Sequence, residues 1–189
     1  YLYDKAGNRT AVIDARAGGL LTNTTFRTTY AYDAVNRLVS ITRPDAVNGA
    51  AITLYVYDAV GNLVREIDPR AGGEDDSAFF KTEYDYDSLN QIWRITRYPG
   101  TPDLAADPIV ELYHYDPVGN LEWSLDGRAG GQAGNTTYRQ SYVYDARNLL
   151  VSATRDTGTP ERAALVTVSY TYDLAGNRLS QKDSRGDYT

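Results

Sequence analysis

The sequence predicts an all-β protein in which tandem antiparallel β-hairpins stack into one long twisted or spiralling sheet. The tetrapeptide Tyr-x-Tyr-Asp occurs seven times at intervals of 25 to 29 residues, and a fixed period of this kind indicates one supersecondary unit repeated many times. Fourteen of the 17 Tyr lie in these motifs, and Tyr favours strands. Each motif is followed by a Gly or Asn, which is typical of a tight turn.

Each motif ends an incoming strand of one hairpin. The copies align without gaps over fourteen residues when the first Tyr is position one. Because positions one and three share a strand face, stacked hairpins are expected to carry two parallel rows of Tyr rings. The Tyr residues at position one are Tyr1, Tyr30, Tyr55, Tyr84, Tyr113, Tyr142 and Tyr170. Those at position three are Tyr3, Tyr32, Tyr57, Tyr86, Tyr115, Tyr144 and Tyr172.

Positions four and seven predict the turn. Asp at position four is expected to accept backbone N–H groups from the turn, as in an Asx turn. Only Gly and Asn occur at position seven, and these residues most readily adopt positive φ. The aspartates are Asp4, Asp33, Asp58, Asp87, Asp116, Asp145 and Asp173. Position seven holds Gly7, Asn36, Gly61, Asn90, Gly119, Asn148 and Gly176.

A finer alternation gives a superrepeat of two hairpins. Position fourteen alternates between Asp and Arg in step with the Gly and Asn of position seven. Cross-strand pairing of these charges between neighbouring hairpins is expected to help fix the register, although each solvated pair is weak. The residues of this charge ladder are Asp14, Arg43, Asp68, Arg97, Asp126, Arg155 and Asp183.

The connectors between hairpins alternate as well. Asp-x-Arg-Ala-Gly-Gly follows the Gly-type hairpins at 14–19, 68–73 and 126–131, and a shortened form occupies 183–186. The links after the Asn-type hairpins vary and lie at 44–49, 99–108 and 157–162. Phe26, Phe80 and Tyr138 stand four residues before the next motif, and even spacing predicts that they share the Tyr face.

Bulk composition excludes several function classes. The net charge is −6 and the pI is about 4.8, which argues against nucleic acid as a partner. No apolar run is long enough to span a membrane, and the absence of Cys excludes disulfides and thiolate metal sites. The array fills residues 1–189, and its start inside a motif without Met is expected of an internal piece of a longer chain.

The repeats resemble a known family. Residues 55–63 (Tyr-Val-Tyr-Asp-Ala-Val-Gly-Asn-Leu) and 170–178 (Tyr-Thr-Tyr-Asp-Leu-Ala-Gly-Asn-Arg) resemble the YD repeat of Rhs proteins, which include bacterial polymorphic toxins, shell subunits of insecticidal toxin complexes and animal teneurins. The resemblance implies a β-sheet strip that spirals into a hollow shell around a polypeptide cargo such as a toxin. It also implies a secreted or cell-surface protein of bacterial origin. The function expected of this chain is that of a non-enzymatic wall segment.

No catalytic, cofactor or metal site is predicted. Asp116-Pro117-Val118-Gly119 resembles the Asp-Pro-x-Gly of the self-cleaving region in Rhs shells, but it is also the fifth copy of the turn. His114 is the only histidine and occupies a variable position, which disfavours a metal site or triad. One Asp and one Asn per turn are too few oxygens for Ca²⁺.

Two short motifs have structural interpretations. The Arg-Gly-Asp tripeptide at 185–187 is a degenerate connector, and Asn-Thr-Thr at 23–25 and 135–137 matches a glycosylation pattern but is expected to form turns.

Three alternatives to a shell wall stay open. The first is a self-associating extracellular fibre, in which sheet edges pair with other copies. The second is an adhesin that binds glycans through exposed Tyr rows. The third is a β-propeller, which three and a half four-stranded blades would not close.

Overall fold

The computed structural model describes residues 1–45, 49–100, 107–156 and 165–184. Its strands form one antiparallel sheet in which the strand order follows the chain order from β1 to β14. Consecutive strands form the seven predicted hairpins, β1–β2 through β13–β14. The strands are β1 Leu2–Tyr3, β2 Arg9–Ile13, β3 Arg27–Tyr32, β4 Leu38–Asp45, β5 Gly49–Tyr57, β6 Leu63–Ile67, β7 Lys81–Tyr86, β8 Ile92–Tyr98, β9 Ile109–Tyr115, β10 Leu121–Leu125, β11 Arg139–Tyr144, β12 Leu150–Asp156, β13 Leu165–Tyr172 and β14 Arg178–Asp183.

The predicted all-β fold of tandem antiparallel hairpins is confirmed. Because the sheet is continuous in its strand order, it is not divided into the four-stranded blades of a propeller. Within the described residues, no helix is long and apolar enough to cross a membrane. The links at 46–48, 101–106 and 157–164 and the Arg-Gly-Asp at 185–187 lie outside those residues.

The chain divides into two compact units. The first contains Tyr1–Tyr84 and Arg97–Pro108, and the second contains Asp85–Thr96 and Ile109–Thr189. In each unit the motif strands are separated by outgoing strands, so Tyr rings of successive hairpins lie about 10 Å apart. The predicted Tyr rows are therefore interleaved with side chains of the intervening strands.

Every hairpin with a described register contains a β-bulge. In the second hairpin Ala31 pairs with Ser40 and Tyr32 pairs with Leu38, so Val39 at position ten is the extra residue. The same shift occurs beside Tyr3, Tyr57, Tyr115, Tyr144 and Tyr172. A bulge bends the strand and increases its local twist, and the gap-free alignment did not predict it.

A thin apolar core lies on the face opposite the motif Tyr residues. Leu112 and Leu125 are paired across β9 and β10, and Leu125 is 1% exposed. Leu112 directly precedes Tyr113, so its side chain points to the other face of the strand. Ala129 of the following connector completes this buried cluster. The connector thus covers the end of the sheet face that the Tyr rows do not occupy.

This core makes Leu125 a test of the fold. Leu125→Ala should lower the free energy of unfolding by about 2–3 kcal/mol, because it removes apolar contacts and leaves a cavity. Urea denaturation followed by fluorescence of Trp123, which packs against this cluster, measures the loss. Leu174→Ala is the matched control, since Leu174 is fully exposed and should change stability by about 0.5 kcal/mol or less. Equal losses in the two variants would contradict this assignment of the core.

Candidate functional site: the turn edge and the connectors

Position four organises each turn through its carboxylate. In the third hairpin, Asp58 Oδ1 accepts the backbone N–H groups of Val60, Gly61 and Asn62 at 2.8–3.0 Å. Asn62 Nδ2 donates to the other oxygen, Oδ2, at 2.9 Å. The Gly61 N–H also donates to the Asp58 carbonyl oxygen, which closes a type I-like turn followed by a left-handed residue. The predicted Asx turn is therefore present.

Position seven adopts positive φ in all seven turns, as predicted. The values are 60° to 64° at Asn36, Asn90 and Asn148, and 87° to 102° at the four glycines. Asn tolerates this conformation because its short polar side chain is accommodated there. The choice between Gly and Asn is therefore not dictated by backbone conformation alone.

The reason for the alternation is found in contacts between neighbouring turns. Asn8 of the first turn donates from Nδ2 to Asn36 Oδ1 of the second at 2.8 Å. Asn120 and Asn148 repeat this bond at 3.1 Å. A Gly-type turn thus donates through the Asn at position eight, and an Asn-type turn accepts through position seven. Glycine has no side-chain oxygen to accept such a bond.

Asn-type turns contact the next Gly-type turn in a different way, with longer side chains. Arg37 Nη1 donates to the Asp58 carbonyl oxygen at 3.2 Å. Gln91 Nε2 donates to the Gly119 carbonyl oxygen at 3.1 Å, and Arg147 Nη1 donates to that of Asp173 at 2.8 Å. We call this series of turn-to-turn bonds the turn ladder. It is directional, because in each of these five bonds the donor turn precedes the acceptor turn in the chain.

The second Tyr of each motif supplies another bond between hairpins, which we call the tyrosine latch. The Tyr57 hydroxyl donates to the Leu38 carbonyl oxygen of the preceding hairpin at 2.9 Å. Four further latches join the second Tyr to position nine of the hairpin before it. They are Tyr32 to Arg9, Tyr115 to Ile92, Tyr144 to Leu121 and Tyr172 to Leu150, at 2.8–3.1 Å.

The latch explains why position three is Tyr. Phe would supply the same ring without a donor, and a partly buried carbonyl oxygen would lose its bond. Burial of the phenol groups also raises the pKa of Tyr115 and Tyr144. The sequence pattern predicts that these residues share a strand face, but it does not indicate the bond.

The long connectors form a second recurring unit, the connector clasp. It consists of an Asp, the Arg two residues later and the aromatic residue twelve residues after the Asp. Arg16 donates from Nε and Nη2 to the two Asp14 oxygens at 2.9 and 3.0 Å. Its guanidinium carbon lies 5.0 Å from the Phe26 ring centroid. The equivalent clasps are Asp68, Arg70 and Phe80, and Asp126, Arg128 and Tyr138.

The clasp corrects two predictions. The Asp14, Asp68 and Asp126 carboxylates pair with an Arg of their own connector, whereas the charge ladder predicted an Arg of a neighbouring hairpin. Each of these Asp residues caps a single 3-10 turn and accepts its Arg N–H. The partners predicted for Arg43, Arg97, Arg155 and Asp183 stay predictions.

The second correction concerns the aromatic residues before the strands. Phe80 and Tyr138 have positive φ, at 56° and 66°, so strand alternation does not extend back to them. Tyr138 packs against the cluster of Leu112 and Leu125, on the face opposite the motif Tyr residues. The exact recurrence of Asp, Arg and aromatic residue at spacings of two and twelve was the signal in the sequence that pointed to a clasp.

The Gly-Gly of the connectors has a packing role as well as a conformational one. Gly18, Gly72 and Gly130 cap the 3-10 turns with left-handed φ. A Cβ on Gly131 would lie 2.9 Å from Val110 Cβ, which is closer than real Cβ atoms approach.

Asn23 and Asn135 each accept the backbone N–H two residues on, at 3.0 Å, so the predicted turn role of the Asn-Thr-Thr sequences is confirmed.

The turn carboxylates are suited to accepting hydrogen bonds and not to donating protons. Bonds from the Asn120 side chain lower the pKa of Asp116, and Asn177 does the same for Asp173. A general acid at neutral pH needs the opposite shift. Among the described residues no group of three or more His, Asp or Glu is arranged to hold a metal ion.

His114 and Trp123 belong to a surface concavity of about 410 Å³. The two rings stack with centroids 5.3 Å apart, and Trp93 and Asp87 also line the concavity. His114 Nε2 lies 3.4 Å from Glu122 Oε2. Both Trp residues of the chain are therefore present at one surface site, which the sequence did not indicate.

Comparison with known proteins supports the resemblance seen in the motifs. The family model of the RHS repeat matches residues 3–47. No curated protein gives a significant sequence match.

Solved structures share the fold. The crystal structure of TcdB2-TccC3-Cdc42 aligns with 84% of this chain and 8% of its own at a TM-score of 0.60 and 22% identity. TcdB2-TccC3-TEV aligns with 99% of this chain and 11% of its own, at 0.56 and 20%. A Photorhabdus luminescens Tc holotoxin pore with a TccC3 mutation aligns with 86% and 9%, at 0.52 and 21%. The chain thus spans about a tenth of the length of these structures' chains.

The tyrosine latch gives a measurable contribution to stability. Tyr57→Phe should lower the free energy of unfolding by about 1 kcal/mol, because the Leu38 carbonyl oxygen loses its donor. Tyr3→Phe is the matched control, since Tyr3 is 61% exposed in the first hairpin and no latch is seen there. Urea unfolding compares both variants with wild type. If the Tyr57→Phe protein were as stable as the Tyr3→Phe protein, the latch would make no measurable contribution to the free energy of unfolding.

The connector clasp predicts a specific acid sensitivity. Hydrogen bonds from Arg16 lower the pKa of Asp14 from 3.8 to about 2. A carboxyl with a lowered folded-state pKa stabilises the fold above its unfolded pKa, and this stabilisation is lost as the pH falls through the folded value. Asp14→Asn should therefore reduce the fall in melting temperature between about pH 4 and pH 2.

The control for this pH dependence is Glu74→Gln, which removes an exposed carboxylate outside the clasp. This variant should keep the wild-type slope of melting temperature against pH. Identical slopes for wild type and Asp14→Asn would contradict a role for the clasp in acid stability.

Proposed function

Since the chain carries the RHS repeat and shares the fold of Rhs-repeat shell proteins, we propose that it is a non-enzymatic wall segment of an Rhs-like β-shell. The observation that carries this proposal is the continuous hydrogen bonding from hairpin to hairpin. Strand pairing, the turn ladder and the tyrosine latch all act between neighbouring repeats. Such a chain can extend in one direction by adding identical units, as repeat proteins do.

The mechanism of a wall is mechanical. Continuous strand pairing leaves few backbone groups open to proteases, and the connector clasps cover part of the face opposite the motif Tyr residues. The cargo in this proposal is a polypeptide such as a toxin, enclosed by a longer wall in which this chain is one part. A secreted or cell-surface location in a bacterium belongs to the same proposal.

Electron microscopy of the natural protein that contains this segment tests the wall. The expected result is a hollow particle with a wall one sheet thick and additional density inside it. The polypeptide inside should resist added protease. The Asp116→Asn variant should also assemble like the wild type. In this proposal Asp116 only accepts hydrogen bonds within its turn, and an Asn side chain can accept them as well. Solid rods, or assembly that depends on the ionisable group of Asp116, would contradict the proposal.

A self-associating fibre is a second candidate, and the outer strands of the sheet favour it. Leu174 in the last turn and Leu179 in β14 are 101% and 67% exposed. Unpaired strand edges invite pairing with other chains. Sedimentation over a range of protein concentrations distinguishes this candidate, because a fibre former should grow with concentration and a wall segment should stay monomeric.

Glycan binding is a third candidate, favoured by the Trp93, His114 and Trp123 concavity. The Trp93 side chain is 39% exposed and lines this concavity together with the polar Asp87. The Tyr rows are a weaker glycan platform, because their second members are engaged in latches. Quenching of Trp fluorescence by sugars, lost in Trp93→Ala, would support this site. Unchanged fluorescence at high sugar concentration would exclude it.

A further inference from the structure

A concavity of about 820 Å³ lies between the first long connector and strands β3 to β5, within the first unit of the chain. We propose that it binds a carboxylate group through the Arg27 guanidinium. The proposal does not depend on the wall function, because it follows from a comparison of one side-chain position in three equivalent repeats.

The first residue of each strand that follows a long connector is basic. These residues are Arg27, Lys81 and Arg139. The residue two positions later lies on the same strand face, and it pairs with a residue of the preceding outgoing strand. The three pairs are Ala11 with Thr29, Arg65 with Glu83, and Trp123 with Ser141. The basic side chain therefore has different neighbours in each repeat.

The second repeat shows how a carboxylate is bound at this place. Glu83 Oε1 lies 2.9 Å from Lys81 Nζ and 3.4 Å from Arg65 Nε. The Tyr98 hydroxyl donates to the other oxygen, Oε2, at 3.1 Å. Two cations and a hydroxyl thus hold one carboxylate against the sheet. In this repeat the chain itself supplies the anion that neutralises the basic residue.

The third repeat supplies an aromatic ring in place of a carboxylate. The Arg139 guanidinium carbon lies 4.5 Å from the Trp123 ring centroid, which is a cation–π distance. Ser141 stands where the second repeat has Glu83. The basic residue of this repeat is therefore also provided with a favourable neighbour by the chain.

Neither kind of neighbour is provided for Arg27. Ala11 and Thr29 replace the pair of Arg65 and Glu83, and Ala11 is fully buried. Within the described parts of the chain, the buried Arg27 Nε has no hydrogen bond and no carboxylate lies at ion-pair distance from this side chain. The half-buried Arg27 lines the concavity. Because a charge removed from water is costly without a counter-ion, an anionic ligand is favoured here.

The charges around the concavity favour a monoanion. Arg16, Arg43 and Asp45 line it together with Arg27, and Asp45 has interactions of its own. Asp14 neutralises Arg16 through two hydrogen bonds. The lining side chains thus leave about one net positive charge, which a single carboxylate neutralises and a phosphate dianion would exceed.

Hydroxyl donors are placed near Arg27 as well. Thr29 and Thr42 pair directly across β3 and β4, and both line the concavity. Their hydroxyl groups can donate to a carboxylate oxygen, as the Tyr98 hydroxyl does in the second repeat. The ligand class is therefore an organic carboxylate, carried by an acidic peptide side chain or by a small carboxylic acid. The volume lies in the range of small-ligand sites.

Titration observed at the Arg27 side chain tests the site. The probes are the peptide acetyl-Ala-Ala-Glu-Ala-Ala-amide, its Gln analogue, sodium acetate and inorganic phosphate, each added to the isotope-labelled full chain at constant ionic strength. The Nε–H resonance of Arg27, assigned by its loss in Arg27→Gln, should shift with the Glu peptide. The Gln peptide should bind about tenfold more weakly, because it lacks the charge that the guanidinium pairs with. Binding of the Glu peptide without acetate binding would identify a peptide ligand, and equal binding of both would identify a small carboxylic acid.

Two substitutions and a matched control examine the same site from the protein side. Arg27→Gln should weaken binding of the Glu peptide about tenfold. Thr29→Glu places a carboxylate where the second repeat has Glu83, so it should block the peptide and raise the melting temperature. Arg139→Gln makes the same change as Arg27→Gln where Trp123 is the neighbour, and it should bind the peptide like the wild type. Circular dichroism checks that each variant folds.

Several outcomes would overturn the proposal. These are equal binding of the Glu and Gln peptides, unchanged peptide binding in Thr29→Glu, and equal losses in Arg27→Gln and Arg139→Gln. Tighter binding of phosphate than of the Glu peptide would overturn the assignment to a carboxylate. The comparison of the two peptides uses the wild-type chain, so it decides the question even where a variant does not fold. The wall is tested separately, by the shape of the natural particle.

Discussion

The bond from the second motif Tyr to the backbone of the preceding hairpin is the constraint on which the array depends. Strand pairing alone leaves a sheet free to slip by two residues without exposing its apolar face. The Tyr57 hydroxyl reaches one particular carbonyl oxygen, that of Leu38, and so fixes the register from one hairpin to the next. A Phe ring, which has no hydroxyl group, would supply packing but would not fix the register between hairpins. The occurrence of Tyr and not Phe at position three follows from that requirement.

Local sequence patterns predicted the hairpins well because the interactions that form each turn lie within a few residues of the chain. The Asp at position four and the positive φ at position seven act within one turn, and both were readable from a single copy. The bulge at Val39 and the latch of Tyr57 were not readable, because they depend on which residues a neighbouring strand brings opposite. The charge ladder likewise did not include the local partner of Asp14. Its carboxylate accepts two bonds from Arg16 of the same 3-10 turn.

The alternation of Gly and Asn shows how a repeat can encode order. If all turns were of one type, any hairpin could follow any other with the same contacts. Here Asn8 requires an oxygen that Asn36 supplies, and Arg37 in turn requires the backbone carbonyl oxygen of Asp58. The two bonds differ in donor length and in acceptor, so the unit that repeats is the pair of hairpins. A deletion that joined two Gly-type turns would lose the side-chain oxygen that Asn36 supplies to Asn8, since glycine has no such acceptor.

The same chemistry that builds the array leaves the turn aspartates unsuited to general-acid catalysis. Each carboxylate accepts N–H groups of its own turn, and the bond from the Asn120 side chain lowers the pKa of Asp116. A proline beside Asp116 changes neither the donors nor the geometry of that turn, whose Val118 and Asn120 N–H groups still donate to Oδ1. An acid catalyst would need a carboxyl with fewer donors and greater burial. The resemblance of this one turn to a cleavage motif is therefore explained by the repeat, because the structural role requires the same Asp-to-Gly spacing.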